Sequence, residues 1–110
     1  MREKLEGIAA RYDELNTLMT DPAVTSDYNR LREIGQERSE LEPVVEAFRH
    51  FKTLREQLED ARALAGAQDA EMAAMAREEV THLEQQTRNM EEQLKQLLLP
   101  RDPADIDLLV

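Results

Sequence analysis

The feature that most constrains the fold is an apolar repeat that runs from Asp69 to Leu99. Steps of three and four residues from Ala73 meet an apolar side chain at seven of eight positions, which are Ala73, Ala76, Val80, Leu83, Met90, Leu94 and Leu97, with Thr87 as the exception. Mostly charged and polar residues fill the positions between them, so the repeat predicts an amphipathic helix over 70–99. These apolar positions form a seam along one face of the helix, and a seam of this length needs a second long helix to cover it.

The preceding segment supplies that second helix, because its apolar residues recur at helical spacing and predict a helix over 27–65. Pro43 lies in the helix interior, where proline removes a backbone donor and costs about 3 kcal/mol. Because Ile34, Leu41 and Phe48 stay seven residues apart across the proline, the sequence favours one helix kinked at Pro43. The alternative is a fresh helix that begins at Pro43.

A third, shorter helix is predicted over 2–20 and ends at the Asp-Pro pair that contains Pro22. Ser26 is the expected N-cap of the helix that follows. Gly66 is expected to end that helix in a left-handed conformation, and the short link after it makes the two long helices antiparallel. The predicted fold is therefore all-α, a long antiparallel helical hairpin with a shorter N-terminal helix packed at its base.

Residues 100–110 predict a linker followed by the start of another domain. Pro100 and Pro103 end the helical region, and the residues from Asp105 to Val110 alternate and then become continuously apolar, as a β-strand does. No other segment of the chain is a suitable partner for such a strand. We therefore expect a helical domain over 1–99, followed by the beginning of an α/β domain that is absent from this sequence.

Composition and charge exclude several classes of function. The chain lacks cysteine, which excludes disulfides, thiolate chemistry and the usual structural zinc sites. No apolar run approaches the roughly 20 residues that cross a bilayer. The net charge is −10 and no segment is basic, which argues against nonspecific binding to DNA or RNA. We expect a cytoplasmic protein that binds neither DNA nor membranes.

The segment Leu97-Leu98-Leu99-Pro100-Arg101-Asp102-Pro103 resembles the end of the N-terminal helical domain of bacterial class I peptide chain release factors. It is closest to the branch of that family that reads the stop codons UAA and UAG. Three further segments resemble the same family and follow in the same order, at 41–45, 66–72 and 90–94. The resemblance covers essentially the whole chain.

The resemblance implies a role in docking. Class I factors recognise stop codons and trigger hydrolysis of peptidyl-tRNA through a Gly-Gly-Gln loop, but this sequence contains neither that motif nor the family's codon-reading Pro-x-Thr tripeptide. No catalytic residue is carried over, and no enzymatic activity is expected of the chain. In the family, this domain projects toward the stalk base of the large ribosomal subunit and toward the GTPase that recycles the factor, so the expected partners are the ribosome, a stalk-base protein and that GTPase.

The helical pattern taken alone leaves a different function open. Any amphipathic hairpin of this length would show the same seam, including a generic coiled-coil spacer or a chaperone-like prong unrelated to translation. Exposed seam residues at the two-helix end, or the apolar segment 108–110, would also allow copies of the chain to pair.

Three basic residues of the helix predicted over 27–65 form the one candidate contact for a partner. Arg49, Lys52 and Arg55 are spaced to share a face, where they could meet ribosomal RNA or an acidic protein. The alternative is that Lys52 and Arg55 form solvated pairs with Glu56 and Glu59, worth about 0.3–0.5 kcal/mol each.

Two other groups of residues have less specific interpretations. Glu79 and His82 match the Glu-x-x-His unit of di-metal bundles, but such sites need two units and further carboxylates, so no metal or cofactor is expected. Met72 and Met75 are expected to fill an uneven hairpin end, with an exposed partner surface as the alternative.

Overall fold

The computed structural model describes residues 1–100, which form four α-helices and, within that range, no strand. The helices are α1 (Arg2–Leu18), α2 (Pro22–Thr25), α3 (Tyr28–Leu64) and α4 (Ala70–Leu98). α3 and α4 form a long antiparallel hairpin, and α1 packs along the first part of α3. The predicted all-α fold is confirmed, while the linker and strand predicted for 101–110 lie outside the described residues.

α3 is a single helix of 37 residues that contains Pro43 in its interior. At 1.5 Å per residue it is about 55 Å long. Pro43 lies on the exposed side of α3, and so does Ser39, whose carbonyl loses its usual partner because proline has no N–H. Water can bond that carbonyl on the exposed side, while the following residues Val44 and Val45 are buried. The proline is therefore accommodated without ending the helix.

The connection between α1 and α3 differs from the expectation. Pro22 not only follows the end of α1 but also begins α2, because its fixed φ suits the first position of a helix. Ser26 closes α2, so the prediction of Ser26 as the N-cap of α3 was wrong. Asp27 has that role, and its carboxylate accepts a hydrogen bond from the backbone N–H of Arg30 at 3.2 Å.

The turn of the hairpin also differs at one residue. Gly66 does not have a positive φ, so the expected left-handed ending was wrong. α3 instead ends with Ala65 in a right-handed conformation, and the N–H of Gly66 donates to the carbonyl of Ala63 at 3.3 Å. The N–H of Ala67 likewise donates to the carbonyl of Leu64, so the chain reverses direction between α3 and α4 through tight turns that need no positive φ. Asp69 then caps α4 by accepting hydrogen bonds from the N–H groups of Glu71 and Met72.

The apolar core consists of three clusters that follow one another along α3. The base cluster joins α1, α2 and the start of α3 through Leu15, Val24 and Ile34. The middle cluster joins α1, α3 and α4 through Leu5, Val44, Ala47, Phe48, Phe51 and Leu94. The prong cluster joins only α3 and α4 through Leu54, Leu58, Ala61 and Leu83. The molecule is thus three helices thick through the middle cluster and two helices thick beyond it.

The predicted seam of α4 faces α3 except at its last position. Leu83 and Leu94 are 3% and 0% exposed, and Val80 and Met90 pack against the prong cluster. Leu97, however, is 37% exposed, and Leu98 packs against the middle cluster in its place. A straight α-helix drifts by about 20° per heptad relative to a strict seven-residue repeat, so after three heptads the inward position moves on by one residue.

Polar contacts hold α1 along α3. The guanidinium of Arg11 donates two hydrogen bonds to the carboxylate of Glu37, at 2.7 and 2.9 Å. These bonds, reinforced by the charge of Arg11, hold the pKa of Glu37 below its usual value and raise that of Arg11. Both side chains remain partly exposed, which limits the contribution of the pair to stability.

Candidate functional site

The basic residues Arg49 and Lys52 are directed toward α1. The guanidinium of Arg49 lies 3.8 Å from a carboxylate oxygen of Asp13, and the Nζ of Lys52 lies 3.5 Å from Oε1 of Glu6. The expected pair between Lys52 and Glu56 is therefore replaced by a contact across helices. Such a pairing depends on where α1 packs, which helical spacing does not reveal.

Arg55 differs from these two cations in its ion pairs. All three lie over an aromatic ring, and the guanidinium of Arg55 lies over that of Phe51, 5.7 Å from the centroid. Among residues 1–100, no carboxylate lies within 4.0 Å of its guanidinium, so the expected pair with Glu59 is not formed. Arg55 is thus the member of the basic trio that has no carboxylate partner within the described part of the chain.

Arg55 and Lys52 line an open groove where α1 begins and the three-helix part of the molecule narrows to two helices. We call it the step groove; its volume is about 980 Å³, and α1 contributes Arg2 to its lining. Glu56, Glu59 and Arg62 of α3 and Glu91 of α4 also line it. Its lining contains four basic and three acidic side chains, so the step groove favours no single charge of ligand.

A second groove lies at the closed end of the hairpin, between the last turns of α3 and the first turns of α4. We call it the tip groove; its volume is about 520 Å³, its apolar lining includes Leu64, Met72 and Met75, and its acidic lining consists of Asp69, Glu71 and Glu79. The exposed fractions are 51% for Leu64, 49% for Met72 and 67% for Met75. The expectation that the methionines fill the hairpin end was therefore wrong.

The sequence identifies only two of the three exposed apolar residues of the tip groove. An exposed surface at Met72 and Met75 is the alternative that the sequence offers, whereas helical spacing does not single out Leu64. Its exposure follows from its place in the last turn of α3, where the chain turns away and Ala61 is the last residue of that helix in the prong cluster. An apolar residue just before a helix end, opposite two methionines, is the signal that would have indicated it.

The described residues contain no group of three potential metal ligands. Glu79 and His82 are both exposed, and within residues 1–100 no third His, Cys, Asp or Glu joins them. Nor is any helix in that range long and apolar enough to span a membrane. What this part of the molecule offers is a set of surfaces, namely the basic trio, the step groove and the tip groove.

Comparison with known families gives a match over nearly the whole chain. The family profile described as the PCRF domain matches residues 8–109. The chain belongs to the peptide chain release factor family. The resemblance seen in the sequence is thereby confirmed, at the level of the family and over the same part of the chain.

Individual release factors agree with this assignment. The chain is 47% identical over 106 residues to peptide chain release factor 1 of Bacillus thuringiensis subsp. konkukian, 46% identical to that of Bacillus cytotoxicus and 43% identical to that of Listeria welshimeri. In each case the match covers 96% of this chain and 30% of the relative. The chain therefore spans about a third of the length of these curated release factors. No solved structure gives a significant match.

Proposed function

We propose that this chain is the N-terminal helical domain of a class I release factor that directs translation termination at UAA and UAG in the cytoplasm. The observation that supports this proposal most strongly is the 47% identity to proteins named peptide chain release factor 1, over 96% of the chain. A generic coiled-coil spacer would not share nearly half of its residues with one family over almost the whole chain. Codon reading and hydrolysis would belong to parts of the protein that this sequence does not contain.

The proposed role of the domain is to dock partners, and the fold is suited to it. The prong extends beyond the three-helix region, with the tip groove at its closed end and the step groove where it begins, and residues 1–100 contain no group of three potential metal ligands. The proposed partners are the ribosome, a stalk-base protein and the GTPase that recycles the factor. The domain would act by position alone.

Within this role we propose the basic trio as one contact, with Arg55 as its principal member. Arg49 and Lys52 already have carboxylates on α1 within 4 Å, so a partner would gain less from them. The charge of Arg55 is held against Phe51 at the edge of the step groove. Ribosomal RNA phosphates or an acidic protein would supply the opposite charge.

The test uses the protein encoded by the complete reading frame, in a peptide-release assay on ribosomes programmed with UAA, UAG or UGA. Release at UAA and UAG, and not at UGA, is expected. A second protein carries, in place of the prong from Leu54 to Leu83, a designed antiparallel coiled coil of equal length that keeps an arginine at position 55. It should release peptide in a single turnover as the parent does, but lose the stimulation of multiple turnover by the recycling GTPase.

Two results would contradict the proposal. Failure of the complete protein to release peptide at any stop codon would refute the assignment to termination. Undiminished GTPase-stimulated turnover by the coiled-coil replacement would refute the docking role and leave the prong as a spacer.

An Arg55→Glu variant, compared with Arg77→Glu on the exposed surface of α4, tests the basic trio in the same assay, and only the former should weaken ribosome binding.

A further inference from the structure

The tip groove combines an apolar lining with an acidic rim. Single exposed apolar side chains are common on protein surfaces, but three that share one groove indicate an interaction site. Leu64, Met72 and Met75 are each about half exposed or more. They gather where α3 ends and α4 begins, and residues 1–100 contain no other element that covers them.

The groove is open because the hairpin is closed by small residues. Ala61, Ala73 and Ala76 are the buried residues nearest the turn, so the side chains between the two helices are small there. Leu64 and the two methionines are therefore displaced onto the outer surface. Methionine is unbranched and flexible, and it adapts to side chains of different shapes on a partner.

The charged residues around the tip groove favour a positively charged partner. Asp69, Glu71 and Glu79 line it, and no lysine or arginine among residues 1–100 does so. The nearest basic residue of α3, Arg62, donates instead to Glu84 at 3.3 Å across the hairpin. A phosphate-rich ligand would be repelled by this rim. A second copy of this chain would bring the same acidic rim and a net charge of −10, so it is disfavoured as well.

We propose that the tip groove is the docking site for a basic amphipathic helix of a protein partner. A shallow groove between two helices suits a third helix, which would place apolar side chains at positions i, i+3 and i+7 on Leu64, Met72 and Met75. Lysine or arginine side chains on its flanks would meet the carboxylates of Glu71 and Glu79. This inference rests on the proposed docking role and adds the chemistry of the partner that is docked.

The experiment titrates the 110-residue chain with a fluorescent helical peptide of about 18 residues, with leucines along one face and lysines on its flanks. A second peptide has glutamate in place of every lysine. We expect the basic peptide to bind and the acidic peptide to bind at least about tenfold more weakly. In a ¹⁵N-labelled chain, the shifts of amide resonances should be confined to the ends of α3 and α4 that form the tip.

Two pairs of variants locate the site. Met75→Glu should weaken binding about tenfold or more. Tyr28→Glu removes a comparably exposed, largely apolar side chain at the far end of α3 and should leave binding unchanged. Glu79→Lys should weaken binding, whereas its neighbour Glu78→Lys, which changes the net charge equally but does not line the groove, should have an effect of about twofold or less. Circular dichroism checks that each variant folds.

The inference is overturned if the two peptides bind equally, if Met75→Glu binds as the parent does, or if the shifted amides lie along α1. These titrations contain no ribosome, so their failure would leave the assignment to translation termination intact. Conversely, a complete protein that fails in the release assay, with a chain that still binds the basic peptide at its tip, would refute the assignment and leave the groove as a helix-binding site.

Discussion

The three-helix part of the molecule and the two-helix prong bury different side chains between their helices. In the middle cluster, large side chains from three helices meet, and Leu5 and Leu94 are at most 1% exposed. Toward the tip of the prong, the buried residues are alanines, and the larger Met72 and Met75 are left outside. The same amphipathic pattern therefore gives a well-filled core at one end and an exposed apolar surface at the other.

The difference has an energetic consequence. Full burial of a leucine stabilises a fold by about 1.5–3 kcal/mol, and an alanine contributes much less because it removes less apolar area from water. We infer that the base and middle clusters determine the global stability. The tip is then free to vary its side chains for a partner, at little cost to the fold.

The largest expected effect is that of Leu94→Ala in the middle cluster. The variant removes a side chain that contacts residues of two other helices and leaves a cavity, so the free energy of unfolding should fall by about 2–5 kcal/mol. Urea denaturation monitored by circular dichroism measures the change. Leu97→Ala, three residues away on the partly exposed side of α4, should change it by about 1 kcal/mol.

Leu83→Ala in the prong cluster should have a smaller effect, at the lower end of the range for buried leucines, about 2 kcal/mol. Only two helices surround this site, so they can move together and reduce the cavity. The same denaturation experiment compares the two variants. If Leu83→Ala costs as much as Leu94→Ala or more, the prong and the middle cluster contribute alike, and the distinction between them is lost.

Asp69→Ala tests the local stability of the tip, because it removes the side-chain cap at the start of α4. Loss of an N-cap costs about 1 kcal/mol. The loss should appear mainly as faster amide exchange in the first turns of α4, with little change at the middle cluster. Asp69→Asn keeps a capping oxygen and serves as the control. Faster exchange around Phe51 in the alanine variant would show that the tip and the middle cluster unfold together.

The smallest effect is the pH dependence of the contact between Arg11 and Glu37. Because the pKa of Glu37 is lower in the folded state, its contribution to stability is present above the usual glutamate pKa of 4.5 and is lost as the pH falls below that value. Arg11 remains charged over this range. Urea midpoints at pH 7 and pH 3 should therefore differ more for the parent than for Glu37→Gln. Equal differences would show that this contact does not stabilise the packing of α1.

Much of the fold follows from the spacing of apolar residues, and the errors occur where tertiary contacts decide. The seam of α4 predicted a partner helix and the short link after Gly66 predicted its direction, but a strict heptad placed Leu97 inward where the helix drift places Leu98. Pro22 was interpreted as a stop, although the same residue type suits the first turn of a helix. Gly66 was assigned a conformation that glycine permits but this turn does not need.

The candidate sites were less predictable than the fold. Helical spacing brought Arg49, Lys52 and Arg55 together but gave no information on Glu6 and Asp13, because these lie on another helix. The exposure of Leu64 depends on how the chain leaves α3. Packing between helices determines which residues pair with exposed charges and which side chains a turn leaves exposed. The pattern of a single helix carries no information about that packing.

Native-state hydrogen exchange on the 110-residue chain tests most directly whether stability resides in the three-helix part and the tip remains available to a partner. Amides of α3 near Val45 and Phe51 should exchange only through global unfolding, and those of the turns flanking Gly66 should exchange at least about tenfold faster through local opening. Equal protection along the whole of α3, or faster exchange in the middle cluster than at the tip, would contradict this account.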